Sequence, residues 1–231
     1  MDFQLSFLMS SNVLPLLLQG AATTVRLFST AWIIGILVAF LLVGLRAVPN
    51  RWIGRIVALF VEYHRNVPTV VQIMVWYFGM PEILPQDIKL WINRGDTEFL
   101  FAMIALGLNV SAFFAEDIRS GMRAVPHTQL EAARSIGLSA FGALIYVLLP
   151  QALRISVPPL INRSLILFKD TSLAMAIGVA ELSYQTKAIE NLSFRSLEVF
   201  FASTVFYLLA SLALMGIGAW FSRRFPPAFK G

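Results

Sequence analysis

Long apolar runs recur along the whole chain and are separated by short charged connections. A helix needs about 20 mainly apolar residues to cross a hydrocarbon core about 30 Å thick. Five stretches come close to this length, so the pattern predicts an all-α integral membrane protein with five transmembrane helices. They run from about Ala21 to Leu45, Val67 to Leu84, Phe99 to Ile118, Ala140 to Phe168 and Val199 to Phe221.

Prolines interrupt two of these predicted spans. Pro150, Pro158 and Pro159 fall in the fourth stretch, where each removes a backbone donor, so we expect a kinked or broken helix there. Pro68 opens the second stretch, in a first turn that needs no donor. The preceding segment, Arg51 to Arg65, has an apolar face interrupted by charges. It is either an amphipathic helix lying along the inner interface or the first part of one long kinked helix.

Basic residues alternate between the connections as the positive-inside rule requires. The first and third connections and the C-terminal end carry several arginines, whereas the second connection, from Glu82 to Glu98, holds four acids against two bases. We therefore expect the N-terminus outside and the C-terminus in the cytoplasm, which an odd number of spans requires. Residues 1–19 form an N-terminal extracytoplasmic segment, residues 20–222 the membrane domain and residues 223–231 a cytoplasmic tail.

The amino-acid composition limits the kinds of site and partner that we expect. Charged residues make up 13% of the chain, against about 25% in soluble domains. The chain has no cysteine and only two histidines, so we expect no metal site and no cofactor bound by this chain. The excess arginines lie beside apolar segments, which favours membrane anchoring over nucleic-acid binding. No catalytic triad or GxxxxGK[ST] phosphate loop stands out, so we expect no enzyme.

The third connection contains a polar segment, VPHTQLEAARSIGLS, that is typical of a short helix. We place this cytoplasmic helix at about residues 127–138. Thr128 and Glu131 have the spacing of a capping box, and Gly137 lies where the chain must turn back towards the membrane. From these residues alone, the segment is an ordinary capped loop helix.

A longer run that begins in this segment, EAARSIGLSAFGALIYVLLP, resembles the signature of permeases of ATP-binding-cassette (ABC) importers. Glu131, Ala132, Ala133 and Gly137 match its first part, and Pro150 matches its aliphatic-x-Leu-Pro ending. The flanking segments FVEYHRNVPTVVQIMVWYFGMPEILP and LFKDTSLAMAIGVAEL are similar to the polar amino-acid branch. Within the first of them, RNVPTVVQ and WYFGMPEILP resemble the glutamate/aspartate-type members more than the basic amino-acid ones.

This resemblance implies a type I ABC importer permease fold in a bacterial cytoplasmic (inner) membrane. It implies that Glu131, Ala132, Ala133 and Gly137 couple the permease to separate ABC ATPase subunits, which would bind ATP and Mg²⁺. It also implies a second permease subunit, of the same or a similar chain, and an extracytoplasmic amino-acid-binding protein. The alternative is a passive channel or secondary carrier for small polar solutes, and dependence of transport on ATP would discriminate between the two.

Charges inside the apolar stretches indicate where substrate passes. Such charges cost about 2.5–3.5 kcal/mol on insertion scales, so they usually face a cavity or a partner. Lys169, Asp170, Thr171 and Ser172 follow the broken fourth stretch, and interrupted helices can hold a charged ligand near the midplane. The resemblance implies that these four residues line the substrate pathway. The alternative is a structural ion pair between Lys169 and Asp170.

Overall fold

The computed structural model describes residues 4–224 and 226, and every regular element in this part of the chain is helical. The predicted all-α class is therefore confirmed. Two π-helical segments, Val75–Gly79 and Leu144–Leu148, and a 3-10 helix, Thr171–Ile177, join or extend the α-helices. The α-helices are α1 (Leu5–Leu8), α2 (Leu14–Ala47), α3 (Arg51–Asn66), α4 (Thr69–Met74), α5 (Met80–Ile83), α6 (Gln86–Ile92), α7 (Thr97–Ala124), α8 (His127–Ser135), α9 (Ala140–Ala143), α10 (Leu149–Asp170), α11 (Leu182–Ser193) and α12 (Ser196–Arg224).

Four helical segments in the described part of the chain are long and apolar enough to cross a membrane: Leu14–Ala47, Thr97–Ala124, Ala140–Ile177 and Ser196–Arg224. The predicted count of five is thus wrong by this measure, and the exception is the second stretch. Its helical part consists of α4, the π segment and α5, with 6, 5 and 4 residues. At a rise of 1.5 Å per residue this is about 22 Å, short of a hydrocarbon core of about 30 Å.

The helix is interrupted between α3 and α4. Val67 is extended, with φ −93° and ψ 131°, and Pro68 stands at the N-cap position of α4 rather than in its first turn. Asn66, the last residue of α3, turns its side chain back to Glu62. A single continuous helix from Arg51 onward is therefore excluded, and α3 and α4 are two separate half-helices.

The prolines of the fourth stretch do not break it. Pro150 lies in the first turn of α10, where no donor is needed, and the π segment Leu144–Leu148 precedes it. Pro158 and Pro159 lie inside α10, which continues to Asp170. Of the kinked or broken helix that was expected, a break at Pro158 and Pro159 is excluded. The helix type changes on either side of these two prolines, from the π segment to α10 at Leu149 and from α10 to the 3-10 helix at Thr171.

Helix α7 forms the centre of the molecule. About 67% of its most apolar stretch is buried, compared with 6% for α12, and α2 and α10 pack against it more extensively than the other helices do. Phe114 and Ile118 are fully buried there. At Gly121, a Cβ atom would lie 2.6 Å from the carbonyl oxygen of Ala152, so only glycine lets α7 and α10 approach this closely.

A buried carboxylate ties α2, α11 and α12 together. Glu181 is fully buried and caps α11 by accepting the backbone N–H groups of Ser183 and Tyr184 at 2.9 and 2.8 Å. The Tyr207 hydroxyl donates to the same carboxylate at 3.0 Å, and the Thr24 hydroxyl at 3.4 Å. Burial raises the pKa of Glu181, and these hydrogen bonds oppose the rise.

Candidate functional site

The short polar helix predicted in the third connection is α8, between α7 and α10. It spans His127–Ser135, three residues shorter at its C-terminal end than the segment predicted at about residues 127–138. Pro126 occupies the N-cap position and no side chain caps the helix, so the predicted capping box of Thr128 and Glu131 is wrong. Gly137 has φ +88°, and the Leu138 N–H donates to the Ala133 carbonyl oxygen at 3.1 Å, which closes the helix with a left-handed glycine.

The four signature positions of α8 and its C-terminal turn differ in exposure. Glu131, Ala132 and Gly137 are exposed, while Ala133 is buried against the rest of the chain. The neighbouring Ile136 is 81% exposed. This end of the molecule therefore presents an acid, a small side chain and a large apolar side chain together, with α8 anchored through Ala133.

The predicted pathway residues point in different directions. Lys169 lines a cleft between α10, α11 and α12, whereas Asp170 lines a second cleft between α4, α7 and α10. Among the described residues no ion pair joins Lys169 and Asp170. The hydroxyls of Thr171 and Ser172 donate to carbonyl oxygens at the end of α10, those of Phe168 and Lys169, so they stabilise the helix end locally.

The second cleft, which we call the Asp170 cleft, lies beside the break between α3 and α4, and two charged side chains line it. It encloses about 380 Å³ of free space, part of it open to the surroundings. The Thr69 hydroxyl donates to the Asp170 carboxylate at 3.3 Å. The residues that line it are Thr69, Asn109, Val110, Phe113, Arg163, Ile166, Leu167 and Asp170.

Buried amides stabilise the break beside this cleft. The Gln72 side chain donates to the carbonyl oxygens of His64 and Val67 at 3.0 and 2.8 Å, and Asn109 donates to that of His64 at 2.9 Å. These carbonyls lack a helical partner because the chain is extended at Val67. Without the two amides they would be left unpaired in a low-dielectric interior, which costs about 1–3 kcal/mol per group.

The cleft contains a cation that the sequence analysis did not identify. The Nε atom of Arg163 lies 3.4 Å from Oδ2 of Asp117, and its guanidinium lies 4.3 Å from the centre of the Phe113 ring. Glu116 instead pairs with Arg46 at 2.8 Å and with Arg119 at 3.3 Å.

The sequence carried one signal for this cation. Arg163 lies seven residues before Asp170 in an apolar run, a spacing that places both residues on one helix face. Thr69 and Asn109 come from other helices, so nothing near Asp170 in the sequence indicates them.

Comparison with known proteins places this architecture in a family. The family model described as "binding-protein-dependent transport system inner membrane component" matches residues 31–226. The chain is 36% identical over 201 residues to the glutamate/aspartate import permease protein GltJ of Escherichia coli (strain K12), covering 85% of this chain and 82% of that protein. It is 38% identical over 212 residues to the glutamine transport system permease protein GlnP of the same strain, covering 91% and 93%.

A solved structure extends the likeness to the fold. The crystal structure of an amino acid ABC transporter with histidines superposes with a TM-score of 0.84 at 28% identity, covering 97% of this chain and 99% of that chain. The predicted type I ABC permease fold is thereby confirmed. The region that the family model matches includes α7, α8 and α10. This chain therefore belongs to the family of binding-protein-dependent transport system inner membrane components.

Proposed function

We propose that this chain is the membrane-spanning permease subunit of an ATP-driven amino-acid importer in the bacterial inner membrane. The observation that carries the proposal is its likeness, over more than four fifths of its length, to permeases named for glutamate/aspartate and glutamine transport. None of the similar proteins described above is a passive channel or a secondary carrier. In this proposal the chain itself is no enzyme, and it binds no cofactor.

The partners follow from the same proposal. Separate ABC ATPase subunits bind ATP and Mg²⁺, a second permease subunit completes the membrane part, and an extracytoplasmic binding protein delivers the amino acid. The exposed face of α8 formed by Glu131 and Ala132, with Gly137 at its end, contacts an ATPase subunit. Since α8 joins α7 directly to the segment leading into α10, movement of the ATPase reaches two central helices.

The substrate passes along the polar face near the end of α10. Asp170 lines a cleft beside a helix break, where a side-chain charge can hold a charged amino acid. Lys169 contributes to the neighbouring cleft on α12, and Thr171 and Ser172 hold the end of α10 that carries both charges. We propose glutamate and aspartate as substrates. Glutamine is the second candidate, favoured by the 38% identity to the glutamine permease.

We also propose an orientation, with the N-terminus outside and the C-terminus in the cytoplasm. The arginines of the first and third connections support it. Four unbroken spans would leave both termini on one side, so in this orientation α3 and the α4–α5 segment cross the membrane together as two half-helices. The amides of Gln72 and Asn109 satisfy the backbone at the break between them, which allows irregular backbone at that depth.

Uptake into vesicles tests the proposal. The chain is purified with the subunits that accompany it, and uptake of labelled glutamate, glutamine and arginine is measured with the binding protein outside and ATP inside or absent. We expect ATP-dependent uptake that favours glutamate. Preference for glutamine would keep the importer and replace the substrate, while uptake without ATP would overturn the importer.

A second measurement tests the role of α8. We expect Glu131→Lys to abolish uptake while the chain still inserts in the membrane, because the charge is reversed at the proposed ATPase contact. The matched control is Glu82→Lys, which reverses an exposed acid in the second connection. Unchanged uptake by the Glu131→Lys variant would remove α8 from the coupling step.

A further inference from the structure

We propose that the end of α2 carries a binding site for one anionic phospholipid. In this site Arg46 and Arg119 hold the phosphate, and an apolar groove beside them holds an acyl chain. The site is separate from the substrate route proposed above and adds a lipid to the ligands of this chain. It rests on the proposed orientation, which places the ends of α2 and α7 at the cytoplasmic face of the membrane.

The apolar part of the site is a groove that we call the inner groove. It lies between α2, α7 and the segment from α9 to the start of α10, and it encloses about 1080 Å³ of free space, part of it open to the surroundings. No polar side chain of the described residues lines it. Along the end of α2 it extends from Phe40 to Val48, a rise of about 12 Å. One leaflet contributes about 15 Å of hydrocarbon, half of the total, so the inner groove matches the depth of an acyl chain.

A smaller cleft with charged side chains adjoins the inner groove. It lies between α2, α3 and α7 and encloses about 460 Å³, part of it also open to the surroundings. Val43, Ala47 and Met122 line both the smaller cleft and the inner groove. Arg46 and Arg119 line the smaller cleft. The charged side chains are therefore next to the apolar groove, as the phosphate of a phospholipid is next to its acyl chains.

The smaller cleft has one positive charge in excess. Nη1 of Arg46 and Nη1 of Arg119 lie 2.8 and 3.3 Å from the same oxygen, Oε1 of Glu116. Among the described residues neither arginine has a second acidic partner, although each guanidinium has five donors. Their side chains are 26% and 40% exposed. A phosphate diester carries one negative charge, so it would neutralise the excess by accepting the remaining donors.

Depth and charge together favour a lipid over a protein in the inner groove. Basic pockets between membrane helices on the cytoplasmic side are typical sites for anionic lipid head groups. A membrane helix of another subunit could fill the apolar groove, but it would supply an anion only as a carboxylate buried at high cost in the membrane. The proposed ATPase contact, formed by Glu131 and Ala132 of α8, lies outside both clefts.

Lipid binding to the purified permease–ATPase complex tests the charged part of the site. The complex in detergent is titrated with phosphatidylglycerol or with phosphatidylcholine of the same acyl chains, and bound lipids are counted by native mass spectrometry. The variants are Arg119→Gln, which leaves the 2.8 Å pair of Arg46 and Glu116 intact, Arg119→Lys and Glu116→Gln. Arg154→Gln is the matched control, because Arg154 is an exposed arginine that lines neither cleft.

We expect the wild type to bind phosphatidylglycerol more tightly than phosphatidylcholine. Arg119→Gln should weaken binding of phosphatidylglycerol by about fivefold, the effect of one arginine near an anionic head group. Binding of phosphatidylcholine should not change, and Arg119→Lys and Arg154→Gln should keep the wild-type preference. Glu116→Gln should tighten binding of phosphatidylglycerol, because two uncompensated arginines then face the phosphate. A purely structural role of Glu116 predicts the opposite, since α2 and α7 would lose their tie.

A second pair of variants tests the apolar part of the site. Ile145→Gln places an amide in the wall of the inner groove, so we expect both lipids to bind about 2- to 30-fold more weakly, the range for an amide buried without a partner. Ile33→Gln is the matched control, because Ile33 is an exposed isoleucine of α2 that lines neither cleft. The competitor sn-glycerol 3-phosphate has the phosphate without acyl chains and should not displace phosphatidylglycerol.

Photocrosslinking in membranes identifies the occupant of the inner groove. Phe141 lines the groove and is 72% exposed, so benzoylphenylalanine in its place should form an adduct with a phospholipid. Four results would overturn the inference: an adduct with the ATPase or with a second permease subunit, equal wild-type affinity for the two lipids, weaker binding of phosphatidylglycerol in Glu116→Gln, or its displacement by sn-glycerol 3-phosphate.

Discussion

Replacement of Gly121 by alanine tests the contact on which the α7–α10 pair depends. The new Cβ atom would clash with the Ser156 hydroxyl and would lie 2.6 Å from the carbonyl oxygen of Ala152. The Ser156 hydroxyl is held by hydrogen bonds to the carbonyl oxygens of Asp117 and Ala152, at 3.1 and 2.9 Å. Ala152 presents backbone, which cannot turn away, so the two helices must separate.

The size of the effect follows from these distances. Ordinary contact begins at 3.4 Å, so the helices must move apart by about 0.8 Å at this point. Overpacking of this kind costs about 1–3 kcal/mol. The intrinsic preference of a helix for alanine over glycine offsets about 0.5–1 kcal/mol of that cost, so we expect a net loss of up to about 2 kcal/mol.

The assay is equilibrium unfolding of the purified chain in detergent, followed by circular dichroism. Gly44→Ala is the matched control: Gly44 lies in α2, and a Cβ atom there would meet nothing within 4 Å, so we expect a gain of about 0.5–1 kcal/mol. If Gly121→Ala were as stable as Gly44→Ala, the close approach of α7 and α10 would not hold in solution.

Two further predictions concern topology and the buried carboxylate. The chain has no cysteine, so single cysteine substitutions report the accessibility of each site directly. We expect Asn12→Cys and Asn93→Cys to react with an impermeant maleimide added outside spheroplasts. Ala47→Cys and Ala124→Cys should react only after permeabilisation. Labelling of all four from one side would reject the orientation. Glu181→Ala removes the cap of α11 and the acceptor of the Tyr207 hydroxyl. We therefore expect the free energy of unfolding to fall by about 1–3 kcal/mol in the same assay. The control Glu82→Ala, at an exposed acid, should change it little.

The unbroken spans were predictable because hydrophobic length alone determines them. Helices α2, α7 and α12 contain the predicted stretches and extend beyond them by several residues. The extensions of α7 and α12 are rich in polar residues that hydropathy does not count, whereas the N-terminal extension of α2, LPLLLQG, is mostly apolar. The second stretch misled because apolar composition does not show where a helix begins or ends: its helical part, from α4 to α5, is too short to cross alone, and the backbone before it is extended at Val67. The extended backbone at Val67 depends on buried amides from Gln72 and Asn109, one of them 42 positions away from Val67 in the sequence.

For the candidate site, the sequence predicted the segments but not the directions of their side chains. Lys169 and Asp170 are neighbours in the sequence, but successive helical residues point about 100° apart, so each faces a different cleft. The predicted capping box in α8 failed because the N-cap position is Pro126, two residues earlier than Thr128. In each case a local pattern gave the correct segment, and packing against other helices decided where the side chains point.

The positions of α8 and the Asp170 cleft connect the two proposals physically. Helix α8 lies in the connection between α7 and α10, and these two helices approach each other closely at Gly121. One turn away along α7, Asp117 reaches Arg163 across the same pair of helices. A change in the α7–α10 distance therefore alters the Asp117–Arg163 separation, and with it the position of Arg163 in the Asp170 cleft. It follows that Gly121→Ala, which lies outside the cleft, should change amino-acid uptake as well as stability, whereas Gly44→Ala should leave uptake unchanged.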